Sequence, residues 1–367
     1  MKAFVNAVIF SGNHFIKDKA LVVEDGMIRG VCEMNQLSAD TPRVDCDGGY
    51  LVPGFIDLQI YGAGKILFSQ YTDSESLQSV ASQLVKSGTT SFFITLATNS
   101  FEVFNKAVDV VKQNRHQAVK GIQLEGPFLN PLKKGAHITK YICKPDYQKL
   151  NLFLKRADGV IKMMTLAPEV CDKRTIGLLN NNGVLVSAGH SNATFEEAQK
   201  GFDRGIKTVT HLYNAMSPLH HRAPGLPGAV FLNENAMASI IADGIHVSFE
   251  MVKIAKRIMG KRLFYITDAV AECKEGPYRH IKKKDRYVLP NGILSGSKLT
   301  MVKAVRNGVT QVGIDLAESI RMASEYPADL AGFKKEGKIM KGYKANLNCL
   351  TKDLKLKFTV FNGEMVL

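Results

Sequence analysis

A chain of 367 residues exceeds one average domain and is long enough to bury a large core. Hydrophobic residues make up 45% and charged residues 22%, which excludes a disordered or low-complexity chain, and no apolar run approaches the roughly 18 residues that span a bilayer. The net charge of +14 favours attraction of anions, polymeric or small.

Residues 1–50 read as short β-runs separated by turn signals. In Ala20-Leu21-Val22-Val23-Glu24-Asp25-Gly26-Met27-Ile28 the Asp-Gly pair sits between two apolar runs, as a hairpin requires. Candidate strands then follow at Leu51–Gln59, Thr89–Ala97, Val119–Glu125, Val160–Ala167, Gly183–His190, Thr208–His211, Ala238–Asp243 and Leu263–Asp268. Helical spacing is clearest at Ser74–Ser87, Ser100–Arg115, Thr194–Arg204 and Phe249–Met259. Alternating units predict a parallel sheet, and eight of them favour a closed barrel over an open sheet. No Gly-rich dinucleotide loop follows the first strand. Residues 346–367 return to short β-runs, with Asn362-Gly363 as their turn.

The predicted fold is therefore α/β: a (β/α)8 TIM-like barrel with a small β-sandwich domain formed by both chain ends. The barrel is expected over 51–334, with 1–50 plus 335–367 forming the small domain and the helical stretch 300–333 covering the barrel. The N-terminus shows no convincing signal-cleavage site. The six cysteines are scattered without a Cys-x-x-Cys pair, which suits reduced thiols and a cytoplasmic setting. The densest basic stretches, Lys253 to Arg262 and Arg279 to Arg286, lack the interleaved aromatics of a dedicated nucleic-acid binder.

Reactive groups in such barrels collect where strands end at the C-terminal rim. Here strand three ends in Leu124-Glu125-Gly126-Pro127, strand five in Gly189-His190-Ser191, strand six in Thr210-His211-Leu212 and strand eight in Thr267-Asp268-Ala269. One glutamate and two histidines can supply three ligands to a hydrolytic metal, leaving a place for water, and an aspartate can serve as the base. From the residues alone His137 also reads as a loop histidine, His246 as a helix-entry residue, Asn214 as a cap and Arg222 as a surface arginine. Leu294–Ser297 also reads as an ordinary turn.

Taken together, these motifs resemble the N-acetylglucosamine-6-phosphate deacetylases of the amidohydrolase superfamily. The resemblance runs through Pro53-Gly54-Phe55-Ile56-Asp57, Glu125-Gly126-Pro127-Phe128-Leu129-Asn130, Lys134-Gly135-Ala136-His137, Gly189-His190-Ser191-Asn192-Ala193-Thr194, His211-Leu212-Tyr213-Asn214-Ala215-Met216, Ala242-Asp243-Gly244-Ile245-His246, Thr267-Asp268-Ala269 and Leu294-Ser295-Gly296-Ser297. It implies Glu125, His190 and His211 as ligands of one divalent metal ion, zinc first and iron or another divalent ion as alternatives, with Asp268 catalytic. It implies further that His137, Asn214, Ala215, Arg222, His246 and Leu294 line the site for a small phosphorylated amino sugar, and that the protein is a homodimer; the composition itself speaks against a membrane partner and disfavours nucleic acid.

Two features depart from the wider pattern. Many amidohydrolases end the first strand in His-x-His, which helps to hold a second metal, whereas this chain has Gln59-Ile60-Tyr61. Gln59 points to a mononuclear site, and Tyr61 has no reading from sequence. In Arg222-Ala223-Pro224-Gly225 an acidic residue common between Arg and Pro is absent. Deacetylation of the galactosamine epimer, and a non-catalytic barrel that binds anions or nucleic acid, stand as the alternative functions. Ring-opening amidohydrolases are disfavoured, because strand four ends in Thr165-Leu166-Ala167-Pro168 without a bridging lysine.

Overall fold

The protein is described by a computed structural model covering residues 1–366. Two compact units emerge. One holds Met1–Asp57, Ser82–Ser91 and the chain from Thr300 onward; the other holds Leu58–Ala81 and Phe92–Leu299.

The first unit is built on an eight-stranded sheet drawn from both chain ends. Lys2–Phe10 runs parallel to Arg43–Pro53 and antiparallel to Lys19–Glu24. Arg43–Pro53 in turn pairs with Leu347–Leu350, which forms a hairpin with Leu356–Phe361. Both predicted turns form. Asp25 and Gly26 have φ of 51° and 72°, and Asn362 and Gly363 have φ of 50° and 84°, the pair of positive values that a tight type I′ hairpin turn needs. The buried face gathers Phe4, Ile9, Leu21, Leu51, Leu347 and Phe358. The helices Met301–Asn307, Leu316–Ala323 and Glu325–Ala331 also belong to this unit.

The barrel sheet has eight strands: β1 (Phe55–Ile60), β2 (Thr89–Ala97), β3 (Val119–Glu125), β4 (Ile161–Leu166), β5 (Leu185–Ala188), β6 (Thr208–Val209), β7 (Met237–Ile240) and β8 (Leu263–Tyr265). The ladders from β2 to β8 are parallel. A parallel bridge from Ile60 to Ala269 nearly closes the ring, with Asp268 N–H donating to the Gln59 carbonyl at 3.0 Å. The expected (β/α)8 barrel is thus present. β1 and β2 are buried along their whole length, which is why they read as continuous apolar runs rather than alternating ones.

The expected single strand Leu51–Gln59 is divided at Pro53-Gly54. Its first part belongs to the end sheet and its second part opens the barrel. Gly54 permits this because a Cβ there would run into the Thr90 side chain. Three helices escaped the sequence pattern: Tyr147–Ala157, capped by Asp146, Lys173–Asn181, capped by Asp172, and Gly225–Leu232. Thr194 and Glu197 form a reciprocal capping box at the start of Phe195–Asp203, immediately after the loop that carries His190. That loop is therefore followed by a rigid helical start.

Candidate active site

Glu125 is the last residue of β3, His190 follows β5 by two residues, His211 follows β6 by two and Asp268 follows β8 by three. All four lie at the C-terminal ends of their strands and are 3, 5, 4 and 9% exposed. Three of them leave the ladder in the left-handed region, with φ of 48° at His190, 34° at His211 and 53° at Asp268; Ala215 joins them at 47°. Non-glycine residues avoid this region at a cost of about 1–3 kcal/mol each, and such strain clusters at functional sites. The turn aims each side chain across the barrel mouth.

The side chains meet. His211 Nε2 lies 2.9 Å from Glu125 Oε1 and 3.1 Å from His190 Nε2, and His190 Nε2 lies 3.3 Å from the same carboxylate oxygen. His137 reaches the other oxygen, its Nε2 standing 3.0 Å from Glu125 Oε2. Gln59 spans the two carboxylates, donating from Nε2 to Glu125 Oε1 at 2.9 Å and to Asp268 Oδ1 at 2.7 Å.

Burial pushes the Glu125 carboxyl upward, but the charge of His190 and hydrogen bonds from three histidines overcome it and hold the group well below the ordinary range. Burial lowers His211, and it lowers His137 to about 4, helped there by repulsion from His190. The centre is thus a carboxylate beside two imidazoles, His137 and His211, that burial biases toward the neutral form.

That donor set fits a divalent metal. Bonds of about 2.0–2.2 Å in a tetrahedral arrangement place ligand atoms roughly 3.3 Å apart, close to the 2.9–3.3 Å among Glu125 Oε1, His190 Nε2 and His211 Nε2. Glu125, His137 and His190 also bring one atom each within 4.8 Å of the others, so four groups contend for three places. Hydrogen bonding at the far side of two of the rings distinguishes His137 from His190. His137 Nδ1 accepts from Thr98 N–H at 3.2 Å, which puts the ring proton on Nε2 and makes that nitrogen a donor to Glu125. His190 Nδ1 instead donates to the Lys133 carbonyl at 2.8 Å, leaving the Nε2 lone pair directed into the site. Glu125, His190 and His211 could thus hold such an ion between Oε1 and the two Nε2 atoms.

The cluster lines a cavity of about 200 Å³. Of the ten residues singled out from sequence, nine line it: Glu125, His137, His190, His211, Asn214, Ala215, His246, Asp268 and Leu294. Arg222 does not. It lies exposed on the loop before the helix Gly225–Leu232. His246 is clamped from both sides, its Nδ1 2.7 Å from Asp243 Oδ2 and its Nε2 2.8 Å from the Ser295 carbonyl. The Asp-x-x-His spacing was a usable signal for that pair.

Sequence reasoning missed Tyr278 and His280, which also line the cavity, Tyr278 with its ring 6.5 Å from that of His137. His280 packs parallel to the Tyr278 ring at 6.4 Å and contacts Ser295 Oγ at 3.1 Å. Burial lowers its pKa to about 4. The unfolded chain, near the ordinary 6.5, then binds more protons between those two values, so acidification from 6.5 toward 4 removes stability that is fully present above 6.5. The loss reaches at most about 3 kcal/mol. Urea unfolding at pH 7.5 and pH 5 is expected to show a smaller acid-induced loss in His280→Gln than in wild type at equal metal loading; equal losses would remove His280 as a contributor.

Glu169, just beyond β4, supports the His190 loop. It accepts from Asn192 N–H at 2.7 Å, from Ser191 Oγ at 2.7 Å and from Asn130 Nδ2 at 2.9 Å. Removing it orphans three donors, so Glu169→Ala is expected to cost about 1–3 kcal/mol in denaturant unfolding. An unchanged midpoint would show the loop to be held by other contacts.

A parallel barrel with a histidine and carboxylate cluster at its C-terminal mouth defines a metal-dependent hydrolase. The amidohydrolase family matches residues 50–366, and the chain belongs to it. A NagA composite domain matches residues 1–51. N-acetylglucosamine-6-phosphate deacetylase from Haemophilus influenzae is 34% identical over 99% of this chain and 98% of its own length. N-acetylgalactosamine-6-phosphate deacetylase from a Shewanella species is 31% identical, covering 98% and 94%. The crystal structure of N-acetylglucosamine-6-phosphate deacetylase from Pasteurella multocida superposes with a TM-score of 0.94 at 34% identity, covering 100% of this chain and 99% of that one. A mutant of the Mycobacterium smegmatis enzyme, in complex with N-acetyl-D-glucosamine-6-phosphate, superposes at 0.91 with 26% identity over 99% and 98% of the two chains. The resemblance drawn from the motifs is borne out. Among the described residues no helix is long and apolar enough to cross a membrane.

Proposed function

We propose that this chain hydrolyses the acetamide of N-acetyl-D-glucosamine 6-phosphate, releasing acetate and glucosamine 6-phosphate. The observation that carries the reading is the meeting of Glu125, His190 and His211 beside Asp268 in one buried cavity at the barrel mouth. In this reading those three hold one divalent ion, zinc by preference. Such an ion, when bound, lowers the pKa of water and polarises an amide carbonyl.

The remaining work falls to the chain. Asp268 accepts the proton of the attacking water and returns it to the sugar nitrogen, which must leave as an amine because an amide anion is a very poor leaving group. Gln59 fixes the orientation of Asp268 by donating to Oδ1 at 2.7 Å. Its neutral amide also links the two carboxylates, which supports a mononuclear rather than a binuclear centre. His137, with Nε2 protonated, can turn its donor from Glu125 toward a substrate oxygen. Asn214 and Ala215 offer polar contacts along the cavity for the sugar and its phosphate, His246, held by Asp243 and Ser295, gives the sugar a wall beside them, and Leu294 packs on the acetyl side. Arg222 would have to approach the phosphate from the exposed loop.

The galactosamine epimer is the second reading, favoured by the Shewanella relative. The two are tested by acetate release from both epimers, each with and without the 6-phosphate, after metal removal and replenishment. Faster turnover of the unphosphorylated sugar would overturn the phosphosugar reading. The free cysteines support a reducing, cytoplasmic setting. A homodimer is proposed from family resemblance, and a monomer by sedimentation at working concentration would remove it.

A further inference from the structure

Tyr61 stands where many amidohydrolases carry the second histidine of His-x-His, and its side chain is buried within the metal cluster rather than turned away from it. Its hydroxyl donates to Glu125 Oε2 and lies 3.3 Å from Gln59 Nε2. The two carboxylate oxygens of Glu125 are thereby divided. Oε2 receives the Tyr61 hydroxyl and His137 Nε2–H, while Oε1 faces His190 and His211 and receives the Gln59 amide. An oxygen that already accepts two donors has no lone pair left in the carboxylate plane for a cation.

We infer that Tyr61 is a positioning residue that holds Glu125 as a one-oxygen ligand, with Oε2 engaged by its hydroxyl and Oε1 presented to the ion. The inference rests on the metal-dependent reading above. Partners that orient a ligand from behind commonly contribute tenfold to a hundredfold to metal affinity.

The test compares wild type, Tyr61→Phe and Tyr61→Gln by competition of zinc against a chromophoric chelator and by the visible absorption of the cobalt-substituted proteins. Thermal unfolding of the metal-free chains checks that each is folded. Tyr61→Phe is expected to bind zinc about ten to a hundred times more weakly, and to show a weaker, shifted cobalt band as the released Oε2 enters the coordination sphere. Tyr61→Gln, which restores an N–H donor, is expected to recover part of the affinity. Unchanged zinc affinity and an unchanged cobalt band in Tyr61→Phe would overturn the proposal, as would equal losses in the two variants, which mark lost packing instead. A wild-type chain that binds no zinc at micromolar concentration would instead refute the metal reading itself, so the two failures are told apart.

Discussion

Replacing Asp268 by asparagine is expected to lower turnover by about 10²–10⁴-fold while leaving zinc content and substrate affinity close to wild type. Asparagine keeps the shape of the side chain and is among the few residues that tolerate a left-handed backbone such as the φ of 53° found here. It can still meet Gln59, because an Asn amide offers an oxygen to the Nε2 donor that holds Oδ1 at 2.7 Å. What it cannot do at neutral pH is take up a proton and give it back. The loss should therefore fall on kcat, with KM little changed, as when an interaction made only in the transition state is removed. Isothermal titration with substrate, stopped-flow acetate release and elemental analysis separate the three quantities. Turnover near wild type would remove Asp268 as the base, whereas a variant without metal would mean that its carboxylate belongs to the metal site.

The parts of the fold visible in the sequence are those where burial is complete or turn chemistry is explicit. β2 and β3 run over Thr89–Ala97 and Val119–Glu125, as predicted; β2 is buried throughout and β3 from Gly121 to Glu125. The Asp25-Gly26 and Asn362-Gly363 turns could be read because few other residue pairs accept two successive positive φ values. The later strands are shorter than predicted: Leu185–Ala188 against Gly183–His190, and Leu263–Tyr265 against Leu263–Asp268. The reason is functional. The chain leaves the ladder so that His190 and Asp268 can turn inward in left-handed conformations, and nothing in a histidine or aspartate announces that φ. Tyr147–Ala157 and Lys173–Asn181 match the predicted helices Phe249–Met259 and Phe195–Asp203 in length and in burying one face, so neither property accounts for their being missed. The ligand-bearing strand ends were legible as residue types at the right places. The role of Tyr61 was not, since it depends on contacts with Glu125, a residue 64 positions away, and with Gln59 across one strand turn.

His190→Ala and His211→Ala are each expected to leave the protein with well below one equivalent of zinc, and with residual activity near the limit of detection. His137→Gln is expected to keep its metal. For His190 and His137 the contrast follows from which nitrogen carries the ring proton, and for His211 from the position of its Nε2 between Glu125 Oε1 and His190. His190 is locked by the Lys133 carbonyl with its Nε2 lone pair facing Glu125 Oε1 and His211, so deleting it removes a bond to the ion. His137 is locked by the Thr98 amide with Nε2 as a donor, so deleting it frees Glu125 Oε2 of one hydrogen bond and leaves the coordinating face intact. Losing one of three protein ligands weakens binding far more than losing one supporting hydrogen bond, for which tenfold to a hundredfold is typical. Zinc measured by mass spectrometry after dialysis against a weak chelator decides the matter. Retention of a full equivalent in His211→Ala together with its loss in His137→Gln would invert the assignment, making Glu125, His137 and His190 the ligands and His211 a neighbour of the substrate.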